Sequence, residues 1–198
     1  MIVIGITGPT GAGKTTVLNA LTELGGEILD CDAVYHELTV SCQPMRKELS
    51  DRFGSHIFGS DGLLQRKVLG SIVFGDQKAL SDLNEITHRY ILHTVKDRIA
   101  AAKEVGKSAI AIDAIALLES GLGELCDTTI AVTADDELRV RRIMARDQIS
   151  EEYARLRVKA QKPSIWFEKN CTHTLRNDGD DPVAFDAKAK ELFKTMII

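Results

Sequence analysis

Short apolar runs alternate along the chain with longer stretches in which apolar residues recur every three or four positions. Residues 2–7 (Ile-Val-Ile-Gly-Ile-Thr) form an unbroken run of strand length. The period then changes. Over residues 14–24, Val17, Leu18, Leu21 and Leu24 fall on one helical face, and Gly25-Gly26 ends the pattern. Residues 27–30 predict a short second strand, 108–113 a third and 128–133 a fourth. A helix is predicted over 136–146, with Leu138, Ile143 and Met144 as its apolar positions. Residues 173–176 give a weak fifth strand, placed mainly by the helix start after it. Asp181-Pro182 is an N-cap and first-turn proline, and opens a last helix with Phe185, Ala189, Leu192 and Met196 as its stripe. Strands alternating with helices predict an α/β fold on a parallel sheet flanked by helices.

Two stretches break the alternation. Residues 34–98 hold no convincing strand and predict a helical insertion, interrupted near Gly54, Gly59, Gly62 and Gly75. Residues 146–166 are rich in charge and end in Lys162-Pro163-Ser164, which predicts a helical lid. With 198 residues in all, the expectation is one domain, residues 1–198, carrying both features.

Charge removes one class of function. Lys plus Arg number 25 against 29 Asp plus Glu, a net charge of −4, so no nucleic-acid partner is expected. None of Cys31, Cys42, Cys126 and Cys171 makes a C-x-x-C pair, which leaves a zinc or redox motif without support. The chain opens without a basic leader and holds no apolar run of membrane-spanning length, so the expectation is a cytoplasmic protein with no membrane partner. No feature of the sequence specifies an oligomeric state.

The strongest chemical signal is Gly8-Pro9-Thr10-Gly11-Ala12-Gly13-Lys14-Thr15, which fills every fixed position of G-x-x-x-x-G-K-[ST] between a predicted strand and a predicted helix. Glycines let backbone wrap closely round phosphate oxygens. The loop amides and the helix N-terminus face the anion, and Thr16 comes next in the first helical turn. Lys14 is expected to bridge the outer phosphates and Thr15 to ligate Mg²⁺. These features predict a phosphate-loop NTPase fold of the nucleotide-kinase type that uses ATP and Mg²⁺. No N-K-x-D stands after the fourth strand, where Thr133-Ala134-Asp135-Asp136 is found instead, and this counts against a GTPase.

Candidate acceptor-side groups lie at strand ends, which border the ligand crevice of a parallel sheet. Asp30-Cys31-Asp32 ends the second strand. Asp32 is the candidate base for an attacking hydroxyl and Asp30 its support, while capping of a helix from Ala33 is the plainer reading of both. Asp113 ends the third strand and is a candidate Mg²⁺ holder, or a turn residue. Arg139, Arg142 and Arg146 share a helix face and suit a polyphosphate, with Arg142 and Arg146 beside the lid. Arg155 and Arg157 are expected on a solvated face. The residues alone leave three readings open: a small-molecule kinase, a nucleotide-binding module without transfer, and a nucleotide-hydrolysing switch.

The ordered motifs resemble the dephospho-CoA kinase family. Gly5-Ile-Thr-Gly8 leads into the phosphate loop. Ile28-Leu-Asp-Cys-Asp32 is similar to the family's V-I-D-A-D, Asp61-Gly-Leu-Leu-Gln-Arg66 to D-G-x-[LI]-[DN]-R, and Leu117-Leu-Glu-Ser-Gly-Leu122 to L-[LF]-x-E-x-x-L. Arg142-Ile-Met-Ala-Arg146-Asp147 is similar to R-x-x-x-R-D, and Leu175-Arg-Asn-Asp-Gly179 to I-x-N-x-G. The resemblance implies phosphorylation of the ribose 3′-hydroxyl of dephospho-CoA, the last step of CoA synthesis. It implies Asp32 as base, Arg142 and Arg146 as catalytic arginines with Lys14, and Asn177 near the nucleotide base. It implies that Asp32, Arg66, His88 and Glu119 meet the acceptor. The chain departs from the family at Arg89, Ile115 and Thr172, where the family has two prolines and an aspartate, and along Gln161-Lys-Pro-Ser-Ile-Trp-Phe.

Overall fold

The computed structural model describes residues 1–179 and 181–197. Five strands, β1 (Ile2–Thr7), β2 (Glu27–Asp30), β3 (Ala109–Asp113), β4 (Thr128–Thr133) and β5 (His173–Arg176), form one sheet in the order β2-β3-β1-β4-β5. The pairings of β1 with β3, β1 with β4 and β4 with β5 are all parallel. The three central strands are buried almost throughout because both their faces are covered, and β1 and β3 are accordingly apolar, while β4 carries three threonines. Register sets Asp113 beside Ile6, one residue before β1 ends, and Arg176 beside Thr133. The ends of β1, β3, β4 and β5 therefore share one edge of the sheet.

Helices α1 (Lys14–Glu23) and α9 (Pro182–Met196) are part of one core cluster with the sheet. Val17, Leu21, Phe185 and Phe193 pack there with Ile4, Ile6, Ile130 and Val132. The Asp181 carboxylate caps α9 by accepting from the N–H groups of Val183 and Ala184, as the Asp-Pro pair predicts. Helices α6 (Asp136–Asp147) and α7 (Glu151–Lys159) bury a small cluster of their own, Val140, Ile143, Ala154 and Val158. Helix α8 (Ser164–Asn170) buries Phe167, with Trp166 edge-on to it at 5.0 Å.

The chain divides into two compact units, Met1–Leu29 with Ile99–Ile198, and Asp30–Arg98. The second unit is helical, as residues 34–98 predict: α2 (Cys31–Ser41), α3 (Gln43–Phe53), α4 (Arg66–Val73) and most of the long α5 (Gln77–Glu104). Inside it Val34, Leu38, Met45, Leu49, Phe53 and Val95 are buried. Arg46 stitches its loops, donating to the carbonyls of Thr39 (2.5 Å) and Gly62 (2.7 Å) while lying over the Phe58 ring. Helix α2 begins at Cys31, two residues before the predicted start. The Asp30 carboxylate accepts from the N–H groups of Asp32 (2.8 Å) and Ala33 (3.1 Å), so the cap is Asp30 alone and Asp32 already lies in the first turn. Among the described residues no helix is long and apolar enough to cross a membrane.

Candidate active site

The chain leaves β1 at Thr7 and turns through residues 8–13 into α1, whose N-cap is Gly13. Two glycines here are required. Gly8 has φ +141°, and a Cβ on it would lie 2.0 Å from the Val132 carbonyl oxygen. Gly11 has φ +83°, and a Cβ would meet the Arg139 carbonyl oxygen at 2.9 Å. Side chains from outside the loop hold three successive loop carbonyls. Arg139 Nε donates to Thr10 O (3.0 Å), Arg142 Nη1 to Gly11 O (3.5 Å) and Asn177 Nδ2 to Ala12 O (2.9 Å). The loop is thereby shaped in advance for the anion that its glycines and helix N-terminus can take. Lys14 Nζ donates to Gly8 O at 3.1 Å.

A cavity of about 500 Å³ opens on this loop. Pro9, Thr10, Gly11, Gly13, Lys14 and Thr15 line it together with Asp113, Ile115, Arg142, Arg146 and Arg157. Thus the structure gathers the predicted phosphate loop, both predicted metal-side residues and both predicted arginines. Arg142 is held by the carbonyls of Asn177 (3.1 Å) and Gly179 (2.8 Å). Arg146 pairs with Asp147 through two parallel hydrogen bonds of 2.7 and 3.0 Å, and Arg157 bonds to the same carboxylate. The Arg146 bonds, with help from Arg157, hold the Asp147 carboxyl well below the usual aspartate range, at about 2.

Two readings of the basic stretch change. Arg139 does not share the cavity face with Arg142 and Arg146. It is 1% exposed, bonded to Thr10 O, Asp136 and Gln161, because the close approach at Gly11 draws this turn of α6 under the loop. Arg157 does not lie on a solvated face but lines the cavity, drawn there by Asp147, whereas Arg155 is surface-paired with Glu137 and Glu151.

A second cavity, of about 300 Å³, is lined by Gly13, Thr16, Arg142, Asn177, Gly179, Pro182 and Phe185. Thr16 and Asn177 line this cavity, whereas Ala12 is fully buried beneath the loop. A third, of about 450 Å³, is lined by Ile115, Ala116, Glu119, Gln161, Lys162 and Phe167 among others, and holds the predicted Glu119. Asp32, Arg66 and His88 belong to the helical unit. There Asp32 is exposed on the first turn of α2, one turn before His36. Arg66 Nη2 lies 2.6 Å from His36 Nδ1. His88 is half-buried on α5. Tyr35, next to His36, has its pKa raised by burial against the opposing pull of Arg66.

Sequence reasoning assigned no role to Gln161, Asp147 or His36. His36 carried a signal, its i+4 spacing from Asp32. Asp147 stood in the R-x-x-x-R-D match. Gln161 stood only at the head of the stretch that departs from the family, and no local pattern tied it to Thr10, 151 residues away. Of the departures, Ile115 lines the phosphate cavity, Arg89 is bonded to Glu48, and Thr172, just before β5, exchanges hydrogen bonds with Thr129 of β4. No disulfide forms among the four cysteines. Burial, helped by Asp127, pushes the Cys126 thiol up to about 12, which keeps it unreactive.

A parallel sheet whose first strand runs into a braced phosphate loop, with arginines from a later helix lining the same cavity, defines a phosphate-loop kinase. The family model described as Dephospho-CoA kinase matches residues 2–182. The chain belongs to the dephospho-CoA kinase family. It is 35% identical over 181 residues to the dephospho-CoA kinase of Moorella thermoacetica, spanning 91% of this chain and 85% of that one. The crystal structure of TT1252 from Thermus thermophilus superposes with a TM-score of 0.83 at 29% identity, covering 100% of this chain and 98% of that chain. The dephospho-CoA kinase from Campylobacter jejuni shares the fold, with a TM-score of 0.72 at 23% identity, covering 98% of this chain and 96% of that chain.

Proposed function

We propose that this chain transfers the γ-phosphoryl group of ATP to the ribose 3′-hydroxyl of dephospho-CoA, giving ADP and CoA. Family membership supports the reaction. The observation that carries the chemistry is the single cavity shared by the phosphate loop, Thr15, Asp113 and three arginines. In the step, the 3′-oxygen bonds to the γ-phosphorus and the bond to the β,γ-bridging oxygen breaks. ADP leaves with that electron pair, and the hydroxyl proton passes to a carboxylate. We assign the proton to Asp32, which the Asp30 cap fixes in the first turn of α2.

Lys14 and the loop amides bind the outer phosphates, and Arg142, Arg146 and Arg157 offset charge on the transferring group. Asn177, Thr16 and the second cavity suit the nucleoside end of ATP. Arg66, His88 and Glu119 are assigned to the acceptor. Thr15 and Asp113 bring a hydroxyl and a carboxylate oxygen to one cavity, the hard donors that Mg²⁺ takes, so they fit that ion and would hold it. Bound there, Mg²⁺ would supply positive charge to the phosphate oxygens. Residues 34–98, within the compact unit 30–98, serve as the acceptor-binding insertion and 146–166 as a lid that excludes water from the phosphates, within one cytoplasmic kinase domain.

The test is ADP release from ATP and Mg²⁺, with and without dephospho-CoA, and with adenosine, CMP and dTMP as control acceptors. We expect release that depends on dephospho-CoA, with CoA as product. Lys14→Ala should lower turnover by roughly 10²–10³-fold, and Asp32→Asn by roughly 10²–10⁴-fold, in protein with an unchanged circular dichroism spectrum. Release indifferent to dephospho-CoA would remove the acceptor assignment. Near wild-type turnover in Asp32→Asn would remove the base.

A further inference from the structure

Gln161 stands just after α7 and lines the third cavity with Glu119, and its carboxamide is engaged at both its oxygen and its nitrogen. Oε1 accepts from the Thr10 N–H (3.0 Å) and from Arg139 Nη2 (3.0 Å), and Nε2 donates to Thr10 Oγ1 (2.9 Å). The network fixes this orientation, because the reverse would set the NH₂ group against two N–H donors. Arg139 completes the set through Nε to Thr10 O (3.0 Å) and Nη1 to Asp136 (2.6 Å). Thr10 is therefore held at its N–H, its carbonyl and its hydroxyl by two residues outside the loop.

Donor and acceptor chemistry has two consequences here. Arg139 is 1% exposed, and a guanidinium that deeply buried is tolerated only while its N–H groups have acceptors, of which Gln161 Oε1 is one. Gln161 Nε2 can only donate, so Thr10 Oγ1 accepts there and must direct its own hydrogen elsewhere. Thr10 lines the cavity with Lys14 and Thr15. We propose that Gln161 is a positioning residue of the nucleotide site. It acts through Thr10, holding the tip of the phosphate loop and turning the Thr10 hydroxyl into a donor toward the bound anion. Gln161 stands two residues beyond Lys159, where α7 ends. Moving it away breaks three hydrogen bonds and strips Arg139 of an acceptor, so nucleotide affinity is linked to the place of α7's C-terminal end.

The inference rests on the reading of the cavity as an ATP site, and the test separates the two. ATP affinity is measured by equilibrium binding without acceptor, for the wild-type chain, Gln161→Ala, Thr10→Ala, Thr10→Ser and the Gln161→Ala/Thr10→Ala double variant, with melting temperatures alongside. We expect Gln161→Ala and Thr10→Ala each to weaken ATP binding about tenfold. The double variant should lose little more than either single one, and Thr10→Ser should bind like wild type, because the two side chains act as one unit. At saturating ATP and acceptor, kcat should change less than the ATP KM. Gln161→Ala binding within about twofold of wild type, or losses that add in the double variant, would overturn the proposal. If Gln161→Ala does not fold, Thr10→Ala against Thr10→Ser decides it, and equal affinity in those two overturns it. If the wild-type chain fails to bind ATP, the functional reading falls as well; ATP binding untouched by Gln161→Ala sinks only the positioning role.

Discussion

At Asp147 one carboxylate carries two guanidinium groups, both lining the phosphate cavity. Each arginine is long and rotamer-rich, so an untethered one must be ordered at every turnover. The shared carboxylate does that ordering in the fold. Asp147→Asn should therefore lower kcat by about tenfold through misplaced arginines, and leave the melting temperature nearly unchanged because the group is near the surface. Steady-state kinetics beside a thermal melt check it, and unchanged kcat would show that the arginines hold themselves. The pH dependence has a definite sign. The Asp147 carboxyl is held at about 2, below its ordinary 3.8, so it is ionised and orders both arginines across the working pH range, and that ordering is lost only as the pH falls through about 2. An acid limb in kcat near neutrality would thus come from another group. Residue chemistry of this kind was half legible in the sequence. Lys14 and Thr15 announced themselves by spacing, whereas the fates of Arg139 and Arg157 depended on which turn of α6 packs under Gly11 and on the reach of Asp147.

Helix starts decide where the reacting groups stand. Asp30 is the clearest case, since its carboxylate takes the N–H groups of Asp32 and Ala33 and so fixes the first turn of α2. Asp30→Ala should cost about 1 kcal/mol of stability and lower kcat beyond what that loss explains, because Asp32 moves with the first turn. Asp30→Ser, which can still cap, should restore both. Denaturant titration and turnover of the two variants measure this, and equal kcat in them would confine Asp30 to a stability role. All five strands and the two helices α1 and α9 could be read from the sequence to within a residue or two, β1 and β3 because they are continuous apolar runs, and β5 only because the Asp-Pro helix start that follows it is local chemistry. The start of α2 was misplaced by two residues. Two aspartates flanking Cys31 offer two caps, and only the tertiary path of the chain chooses between them.

Taken whole, the chain is acidic, with a net charge of −4, while its phosphate cavity gathers Lys14, Arg142, Arg146 and Arg157. Local charge of sign opposite to the total draws a polyphosphate by a field that salt screens. Raising the ionic strength from about 0.05 M to about 0.5 M should raise the ATP KM several-fold with less effect on kcat, and initial rates across a salt series measure it. A KM indifferent to salt would mean that the bound phosphates meet the loop amides rather than the arginines. The helical nature of residues 34–98 was visible as missing strand signals, but the helices' mutual packing was not, because it rests on contacts such as Arg46 over Phe58 that no local period announces. The division of the chain has a consequence for its descent. Residues 30–98 form one uninterrupted compact unit, entered at the last residue of β2 and left within α5, before β3. On the functional reading above, everything that handles the phosphate donor is written outside that stretch, and the base with two of the acceptor residues is written inside it. One continuous block of the gene can then drift, or be exchanged, and alter which hydroxyl is phosphorylated, while the donor machinery is inherited unchanged.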